Sequence, residues 1–341
     1  MTAKMRIVAG FMLGAWSSLA PAMAQSTLVV AGYGGSTETV VREKILPEFE
    51  KANDVKVTYV AGNSTDTLAK LVAQGANQEV DVAMIDDGPM SRAVSLGLCA
   101  PAQGIDRSKL YPVANIFGDK ASGLGISATG LMYNTKVFQD KGWAAPTSWK
   151  DLADPKFHGE AVMPPLNNGY GLLTLVMLAR ANGGGEANID PGFAAMKDVA
   201  PNMIAFEPSP AKMTELFQTG QAVIAVWGSS RVQALADTGF PVAFAYPKEG
   251  APAVMSAICT VAKKTVSPKA EAFMRTMLAP QAQSILADSA GFAPVNREAT
   301  VQHPGMMPVG DKADKLVAPD WAVINPQRDA WDKRWTRDVE R

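Results

Sequence analysis

Residues 27–35 read Thr-Leu-Val-Val-Ala-Gly-Tyr-Gly-Gly, a short apolar run that ends in a glycine-rich turn. The apolar run predicts a buried β-strand, and the turn that breaks it predicts the start of a helix. Outward from this stretch, further strands are predicted at 55–60 and 81–85, with amphipathic helical segments between the strands. This alternating order predicts an α/β fold with a mostly parallel sheet that is covered by helices.

A second α/β region follows near residue 126. The remaining predicted elements are, in order, strands at 126–134 and 160–163, a helix at 169–181, strands at 222–226 and 241–245, an extended segment at 253–261, and helices at 268–278 and 280–288. A chain of 341 residues exceeds what one ordinary hydrophobic core holds, so two domains are expected.

Residues 1–24 are predicted to be a secretory signal peptide. Two basic residues precede an uncharged apolar stretch at 7–19, and Ala22-Met23-Ala24 supplies the small-x-small pattern at which signal peptidase cuts. The apolar stretch is shorter than the ~20 residues that a membrane span needs. No cysteine stands at the cleavage site, so we expect no lipid anchor and an exported mature chain that begins at Gln25.

The charge and the motifs argue against several classes of function. The full chain carries a net charge of −1, and loss of the two basic leader residues makes the mature chain more acidic. An acidic chain lacks the electrostatic footprint of a protein that binds nucleic acid. His158 and His303 lie in no metal-ligand spacing, and no Gly-x-Ser-x-Gly turn occurs. We therefore predict no metal, no cofactor and no catalytic residue.

Polar loops at the ends of predicted strands are the candidate ligand-binding positions, because open α/β sheets bind ligands at that edge. The first loop supplies Tyr33, Gly34 and Ser36, with backbone N–H groups at a helix N-terminus. The third strand ends in Asp86 and Asp87. Either both acids cap the following helix, or one caps the helix and the other faces the ligand.

The second region adds two candidate loops. Their candidate residues are Asn167, Asn168, Tyr170, Trp227, Ser229 and Arg231. Trp227 is either an aromatic wall of the site or a core residue, since tryptophan is usually well buried. Arg231 either clamps a carboxylate through paired hydrogen bonds or lies at the surface. The asparagines have helix capping and turn formation as their alternative role.

The two cysteines, Cys99 and Cys259, both lie in apolar runs. An oxidising compartment would allow them to form a disulfide. They could equally be two buried thiols that act as small hydrophobic groups. Spacing alone does not decide between these alternatives, because a bridge depends on the distance between the Cα atoms.

A series of short motifs extends along the mature chain. The motifs are Ile45-Leu-Pro-Glu-Phe49-Glu-Lys51, Thr67-Leu-Ala-Lys70-Leu71, Asp81-Val with its acidic loop, Gly130-Leu-x-Tyr133-Asn134, Ser148-Trp149-x-Asp151-Leu152-x-x-Pro155-x-x-x-Gly159, Gly220-Gln-Ala222, Trp227-Gly228-Ser229 and Tyr246-Pro247-Lys248-Glu249-Gly250. In their order and spacing they resemble the solute-binding proteins of ABC importers of the spermidine/putrescine type.

This resemblance implies a two-lobed periplasmic binding protein type II fold with a ligand cleft at the hinge between the lobes. Lobe 1 would hold residues 25–125 and 256–300, and lobe 2 would hold residues 126–255. The C-terminal segment, 301–341, would pack on lobe 2. The implied site draws on Tyr33, the loop after Ile85, the loop near Asn167, Trp227 and Ser256.

The implied function is the periplasmic substrate-binding component of an ABC transporter. Such a protein is expected to be a monomer without enzymatic activity that captures a small polar solute and delivers it to a membrane permease. A chemoreceptor could replace the permease as partner. The rival hypothesis is a secreted hydrolase that uses Asp86 or Asp87.

The sequence departs from the polyamine-binding pattern at the acids that would hold cationic amines. Pro, Leu and Asn stand at 165–170, and the expected Trp-x-Asp reads Val254-Met255-Ser256. Burying a cationic amine without these carboxylates is costly. We therefore expect an amino-acid-like or other carboxylate-bearing ligand, with its amine on an aspartate of lobe 1 and its carboxylate on Arg231.

Overall fold

The computed structural model describes residues 26–207, 209–302 and 304–340. The predicted signal peptide, Gln25 and His303 lie outside these residues, and the side chain of Ser36 is also outside the described part. Within the described residues, no helix has both the length and the apolar character that crossing a membrane requires.

The described residues form 11 strands and 14 α-helices, joined by turns, short 3₁₀ segments and a π-helix at Val41–Ile45. The strands are β1 (Ser26–Tyr33), β2 (Val55–Gly62), β3 (Val82–Asp86), β4 (Ser122–Asn134), β5 (Ala161–Met163), β6 (Met203–Phe206), β7 (Ile224–Gly228), β8 (Val242–Ala245), β9 (Ala251–Thr260), β10 (Ala293–Pro294) and β11 (Leu316–Val317). The α-helices are α1 (Ser36–Val40), α2 (Leu46–Asn53), α3 (Ser64–Gln74), α4 (Asp87–Ser95), α5 (Thr135–Asp140), α6 (Gly169–Ala181), α7 (Asp190–Val199), α8 (Pro210–Gln218), α9 (Ser229–Ala236), α10 (Pro268–Leu278), α11 (Pro280–Ala290), α12 (Asp311–Asp314), α13 (Trp321–Ile324) and α14 (Arg328–Asp338).

The strands form a mixed sheet with the order β2-β1-β3-β9-β4-β7-β5-β6. At one end, β1 pairs in parallel with β2 and β3, and at the other end β5 pairs in parallel with β6 and β7. The two central strands run antiparallel to their neighbours, β9 to β3 and β4, and β4 to β7. The expectation of parallel pairing for the predicted strands at 27–31, 55–60 and 81–85 is confirmed, whereas the centre of the sheet is antiparallel. In the centre, β4 and β9 pair with strands that lie far away in the chain, so no single βαβ unit sets their direction as parallel.

Two long strands connect the two parts of the sheet. The first half of β4, 122–128, pairs with β9, whereas its second half, 129–134, pairs with β7 and β8. Residues 256–260 of β9 pair with β3, and its start, at Ala251 and Pro252, pairs with β11. The chain thus passes between the two parts of the sheet on neighbouring strands.

Buried apolar side chains form separate cores on the two sides of this connection. The first core draws on residues 28–126 and 253–313. The second draws on residues 131–226 and on the C-terminal residues 321–339. A smaller third core, from residues 132–242, packs on the second part of the sheet. Because each core is made almost wholly from its own part of the sheet, each part is stabilised by burial of its own apolar surface.

Cys99 and Cys259 form a disulfide, with their Cα atoms 5.8 Å apart. Both residues are buried in the first core, and the bridge joins the chain after α4 to β9. The sequence left this pairing open because it gives no distance. The fold decides the distance, since β3 and β9 are neighbours and Cys99 pairs its backbone with Val261.

Candidate functional site

A cleft of about 840 Å³ lies between the two main cores, beside the strands that connect them. It is lined by Tyr33, Gly34, Thr37, Ser64, Asp86 and Asp87 of the first part, by Ser127, Val254 and Ser256 of β4 and β9, by Asn167, Asn168, Tyr170, Ser230 and Arg231 of the second part, and by Trp321 and Arg328 near the C-terminus. A volume of this size is typical of a small-molecule site.

The first wall is organised around a hydrogen bond between two loops. The Tyr33 hydroxyl at the end of β1 donates to Asp86 Oδ1 over 2.8 Å. The backbone N–H of Asp86 donates to Ser64 Oγ over 3.0 Å, which ties the end of β3 to the start of α3. Burial and the negative charge of Asp86 raise the pKa of Tyr33 well above its usual value. Tyr33 therefore remains a protonated donor that fixes the Asp86 carboxylate.

Asp87 opens α4 and is 3% exposed. Its Oδ1 accepts the N–H of Gly88 over 3.0 Å, whereas its Oδ2 is buried without a hydrogen-bond partner. Burial, with a smaller contribution from the charge of Asp86, raises the Asp87 pKa to about 8. The indole N–H of Trp321 opposes this rise, although it makes no hydrogen bond of standard geometry with the carboxylate. Asp87 is thus a buried carboxyl with unused hydrogen-bonding capacity at the cleft.

The opposite wall begins at the N-terminus of α6. Asn168 Oδ1 accepts the N–H of Tyr170 over 2.9 Å, so Asn168 caps the helix while it also lines the cleft. Burial raises the pKa of Tyr170, and the neighbouring Ser127 and Arg231 oppose that rise. A Cβ at position 228 would overlap the Tyr170 hydroxyl, so a glycine is needed where this ring approaches the end of β7.

Arg231 lies in the first turn of α9 and is exposed to the cleft. Beside it, Ser230 Oγ lies 3.1 Å from Ser127 Oγ of β4. Arg231 and Arg328 both line the cleft, and neither forms an ion pair with any other described residue. The cleft therefore presents carboxylates on one wall and uncompensated guanidinium groups on the other side, a suitable arrangement for a solute that carries both signs of charge.

Nine of the predicted site residues line the cleft: Tyr33, Gly34, Asp86, Asp87, Asn167, Asn168, Tyr170, Arg231 and Ser256. The side chain of Ser36 lies outside the described part of the chain. No group of His, Cys, Asp or Glu side chains suited to a metal ion occurs among residues 26–207, 209–302 and 304–340.

Trp227 and Ser229 do not line the cleft, which corrects their predicted placement. Trp227 is 3% exposed and packs in the third core, because alternation along β7 directs its side chain into the apolar layer. Ser229 is fully buried, and its Oγ accepts the N–H of Ala128 over 3.1 Å. That bond satisfies the β4 backbone near the point where this strand changes partners.

One protein-family model matches most of this chain and shows the family to which the chain belongs. The model described as "Bacterial extracellular solute-binding protein" matches residues 44–307. This chain belongs to that family. Solute-binding proteins need an accessible cleft with fixed polar groups, and the cleft between the two cores supplies both.

Two curated relatives of this solute-binding protein match part of its length. An uncharacterized protein of Haemophilus influenzae is 26% identical over 224 residues, which are 63% of each chain. A protein of Salmonella typhimurium, named as a candidate 2-aminoethylphosphonate-binding periplasmic protein, is 28% identical over 178 residues, 52% of this chain and 49% of the relative. The chain therefore spans less than two thirds of the length of these relatives.

Solved structures resemble the fold of this solute-binding protein over most of its length. The crystal structure of an ABC transporter protein from Clostridium perfringens superposes with a TM-score of 0.81 at 19% identity, over 92% of this chain and 99% of the other. At that identity, the likeness establishes the type of fold, which is the α/β periplasmic binding protein fold expected from the sequence.

The C-terminal contribution to the cleft was missed by the sequence analysis of this solute-binding protein. Trp321 packs against Gly88, Asn325 Nδ2 donates to the Gly88 carbonyl over 3.2 Å, and Arg328 lines the cleft. These residues lie beyond the part that the family model matches. The sequence did contain one indication of this contribution, because Trp321, Trp331 and Trp335 lie in an otherwise charged segment. Tryptophan is usually buried, so the three residues indicate that the C-terminal segment packs on the rest of the protein.

Proposed function

We propose that this chain is the periplasmic solute-binding component of an ABC importer and that it delivers its ligand to a membrane permease. Its membership of a solute-binding family supports this role. The cleft between two cores that are connected by β4 and β9 supports a hinge mechanism. A solute that contacts both walls favours the closed arrangement, because it gains its full set of contacts there.

The proposed lobes follow the two cores. Lobe 1 consists of 26–125 and 256–300, and lobe 2 consists of 126–255. The boundaries at 125/126 and 255/256 fall within β4 and β9, the strands that pass between the cores. We assign the segment 301–340 mainly to lobe 2, because Trp331 and Trp335 are buried in the second core.

We infer that the ligand is a small zwitterion rather than a bare polyamine. An aspartate of the first wall would hold the amine, and Arg231 would hold an anionic group such as a carboxylate or phosphonate. The Salmonella relative is named for 2-aminoethylphosphonate, a molecule that carries an amine and a phosphonate. The observation that carries this proposal is the separation of acidic and basic side chains onto facing walls of one cleft.

Titration calorimetry with the mature chain tests the proposal. The probes are 2-aminoethylphosphonate, 4-aminobutanoate, an α-amino acid mixture, putrescine and spermidine. We expect one-to-one binding of a zwitterion, with a Kd at least about tenfold lower than that of either polyamine. Tight polyamine binding would contradict the ligand class, and no binding by any small solute would contradict the transport role.

Chemical turnover distinguishes this function from hydrolysis by Asp86 or Asp87. We propose that the protein binds its solute without changing it. Incubation with phosphonate and carboxylate esters, followed by phosphorus and proton NMR, is expected to show the same amount of ester before and after. Product formation that is lost in Asp86→Asn or Asp87→Asn would favour the hydrolase instead.

A further inference from the structure

Asp86 and Asp87 are adjacent, yet the structure gives them different surroundings. The Asp86 carboxylate already accepts the hydroxyl of Tyr33 and is partly exposed. Asp87 is 3% exposed, lines the cleft, and keeps Oδ2 without a partner. A buried carboxyl oxygen without a partner is costly, and such a cost is commonly retained where a ligand supplies the missing donor.

Trp321 closes one side of the space at Asp87. It is 6% exposed, it lines the cleft, and a Cβ added to Gly88 would lie 3.3 Å from its six-membered ring. Asn325 holds this arrangement through its bond to the Gly88 carbonyl. On the other side, Asp320 donates its N–H to Glu186 Oε1 over 3.1 Å, and Glu186 is paired with Arg180. The segment is therefore fixed to the second part while its indole contacts the first.

We propose that Asp87 binds the primary amine of the solute, in a subsite that the indole of Trp321 closes. A carboxylate in a site that an aromatic ring closes suits an ammonium group, because the carboxylate attracts positive charge and the ring excludes water, which strengthens that attraction. The inference rests on the proposed function, and it assigns the amine to Asp87 and leaves Asp86 as the acceptor of the Tyr33 hydroxyl.

Binding at this position is coupled to a proton. The charged and titratable groups that face the cleft around Asp87 are Asp86 of its own turn, Tyr33 of β1, Tyr170 of α6, Arg231 of α9 and Arg328 of α14, while α13 presents only Trp321. Without solute, Asp87 holds its proton at neutral pH because burial raises its pKa to about 8. An arriving ammonium keeps its three hydrogens, and the Asp87 O–H releases its proton to solvent.

The sign of the pH dependence follows from this coupling. The carboxylate form binds the ammonium, so affinity rises as the pH rises toward the pKa of the free protein. A pKa of about 8 gives an affinity about 50-fold higher at pH 8 than at pH 6, with close to one proton released per amine at the lower pH.

Calorimetry at pH 6 and pH 8, in phosphate and in Tris, tests the proposal. The probes are 2-aminoethylphosphonate and ethylphosphonate, which lacks the amine. We expect Asp87→Asn to weaken 2-aminoethylphosphonate binding by at least about 30-fold and to abolish proton release from the protein. Asp66→Asn is the matched control, because this exposed aspartate does not line the cleft, and it should keep both the proton release and the difference between the two probes. Titration of the probe's own phosphonate group contributes equally to the measurement with every variant, so it cancels when the variants are compared.

Four results would overturn the proposal. The first is an Asp87→Asn protein that folds, as judged by thermal unfolding, and binds the amine probe like the wild type. The second is a Trp321→Phe protein that reproduces the full loss, since this would mark Asp87 as a structural partner of the indole N–H. The third is equal binding of the two probes by the wild type, which refutes the amine subsite but leaves solute binding intact. Binding of neither probe counts against the amine subsite, and the solute panel described above then decides the proposed function separately.

Discussion

The Tyr33 hydroxyl donates to Asp86 Oδ1 across 2.8 Å and so joins the end of the first strand to the loop after the third. These strands are neighbours in space, because β1 and β3 pair in parallel. The bond therefore links two of the polar loops at the same edge of the sheet. It fixes the acidic wall of the cleft before any solute arrives, which reduces the ordering cost of binding.

Removal of this hydroxyl by Tyr33→Phe is expected to weaken zwitterion binding by about tenfold, because the loop that carries Asp86 and Asp87 loses the hydrogen bond that holds it to the end of β1. The matched control is Tyr59→Phe. The Tyr59 hydroxyl also makes one hydrogen bond, to the Tyr33 carbonyl over 2.8 Å, but it does not line the main cleft. Calorimetry checks both variants, and equal losses of affinity would contradict a specific role for Tyr33.

Arg231→Ala should weaken binding of a carboxylate- or phosphonate-bearing solute by at least about tenfold, because a charge-assisted hydrogen bond is lost. Arg92→Ala is the control, since Arg92 is also an exposed arginine in a helix but does not line the cleft. Binding is measured at low and moderate salt. Unchanged affinity in Arg231→Ala would remove this residue from the site.

Asp87→Asn should stabilise the solute-free protein at pH 8. The Asp87 pKa is raised to about 8, whereas an unfolded aspartate titrates near ~4. Between these values the folded state holds a proton that the unfolded state has lost, so the free energy of unfolding decreases as the pH rises. Asparagine does not titrate, and its advantage is expected to grow from pH 4 to pH 8 to a few kcal/mol. Denaturant unfolding at several pH values provides the measurement, and a constant difference would contradict the buried titration.

Trp227→Ala should lower the free energy of unfolding by about 3–5 kcal/mol, because it leaves a large void in the third core. The more conservative Trp227→Phe should lose less. Chemical denaturation measures both, and calorimetry on the folded fraction measures binding. Strongly reduced affinity with unchanged stability would instead restore Trp227 as a ligand wall.

The disulfide between Cys99 and Cys259 closes a loop with a sequence separation of 160 residues. Its loss in the paired Cys99→Ser, Cys259→Ser protein should lower the free energy of unfolding by about 2–5 kcal/mol. Maleimide labelling under denaturing conditions should find no thiol in the unreduced protein and two after reduction. Two thiols before reduction would show that the cysteines stay unpaired.

Local patterns in the sequence were sufficient to predict most strands and helices of the first part of the fold. They also predicted the helix of the second part that begins at the cleft. The apolar strands and the helix at 169–181 were predicted near their observed bounds, because alternation, apolar runs and capping asparagines act over a few residues. The solute-binding family is likewise confirmed, whereas the polyamine subtype stays a prediction.

Tertiary structure alone decided which aromatic residue reaches the cleft. Trp227 and Trp321 are both buried in a core, yet only Trp321 also lines the cleft. The choice depends on the strand partners of β7 and on the docking of a segment far along the chain. The tertiary structure also gives Asp86 and Asp87 different surroundings, since the Asp86 carboxylate accepts a hydroxyl from β1 and Asp87 is buried by α13.

The sequence by itself determined the elements, the two α/β regions and the polar loops, because these depend on short-range periodicity. Contacts between distant parts of the chain determined the cysteine pairing, the antiparallel centre and the membership of the cleft, because distances between such parts exist only in the packed fold.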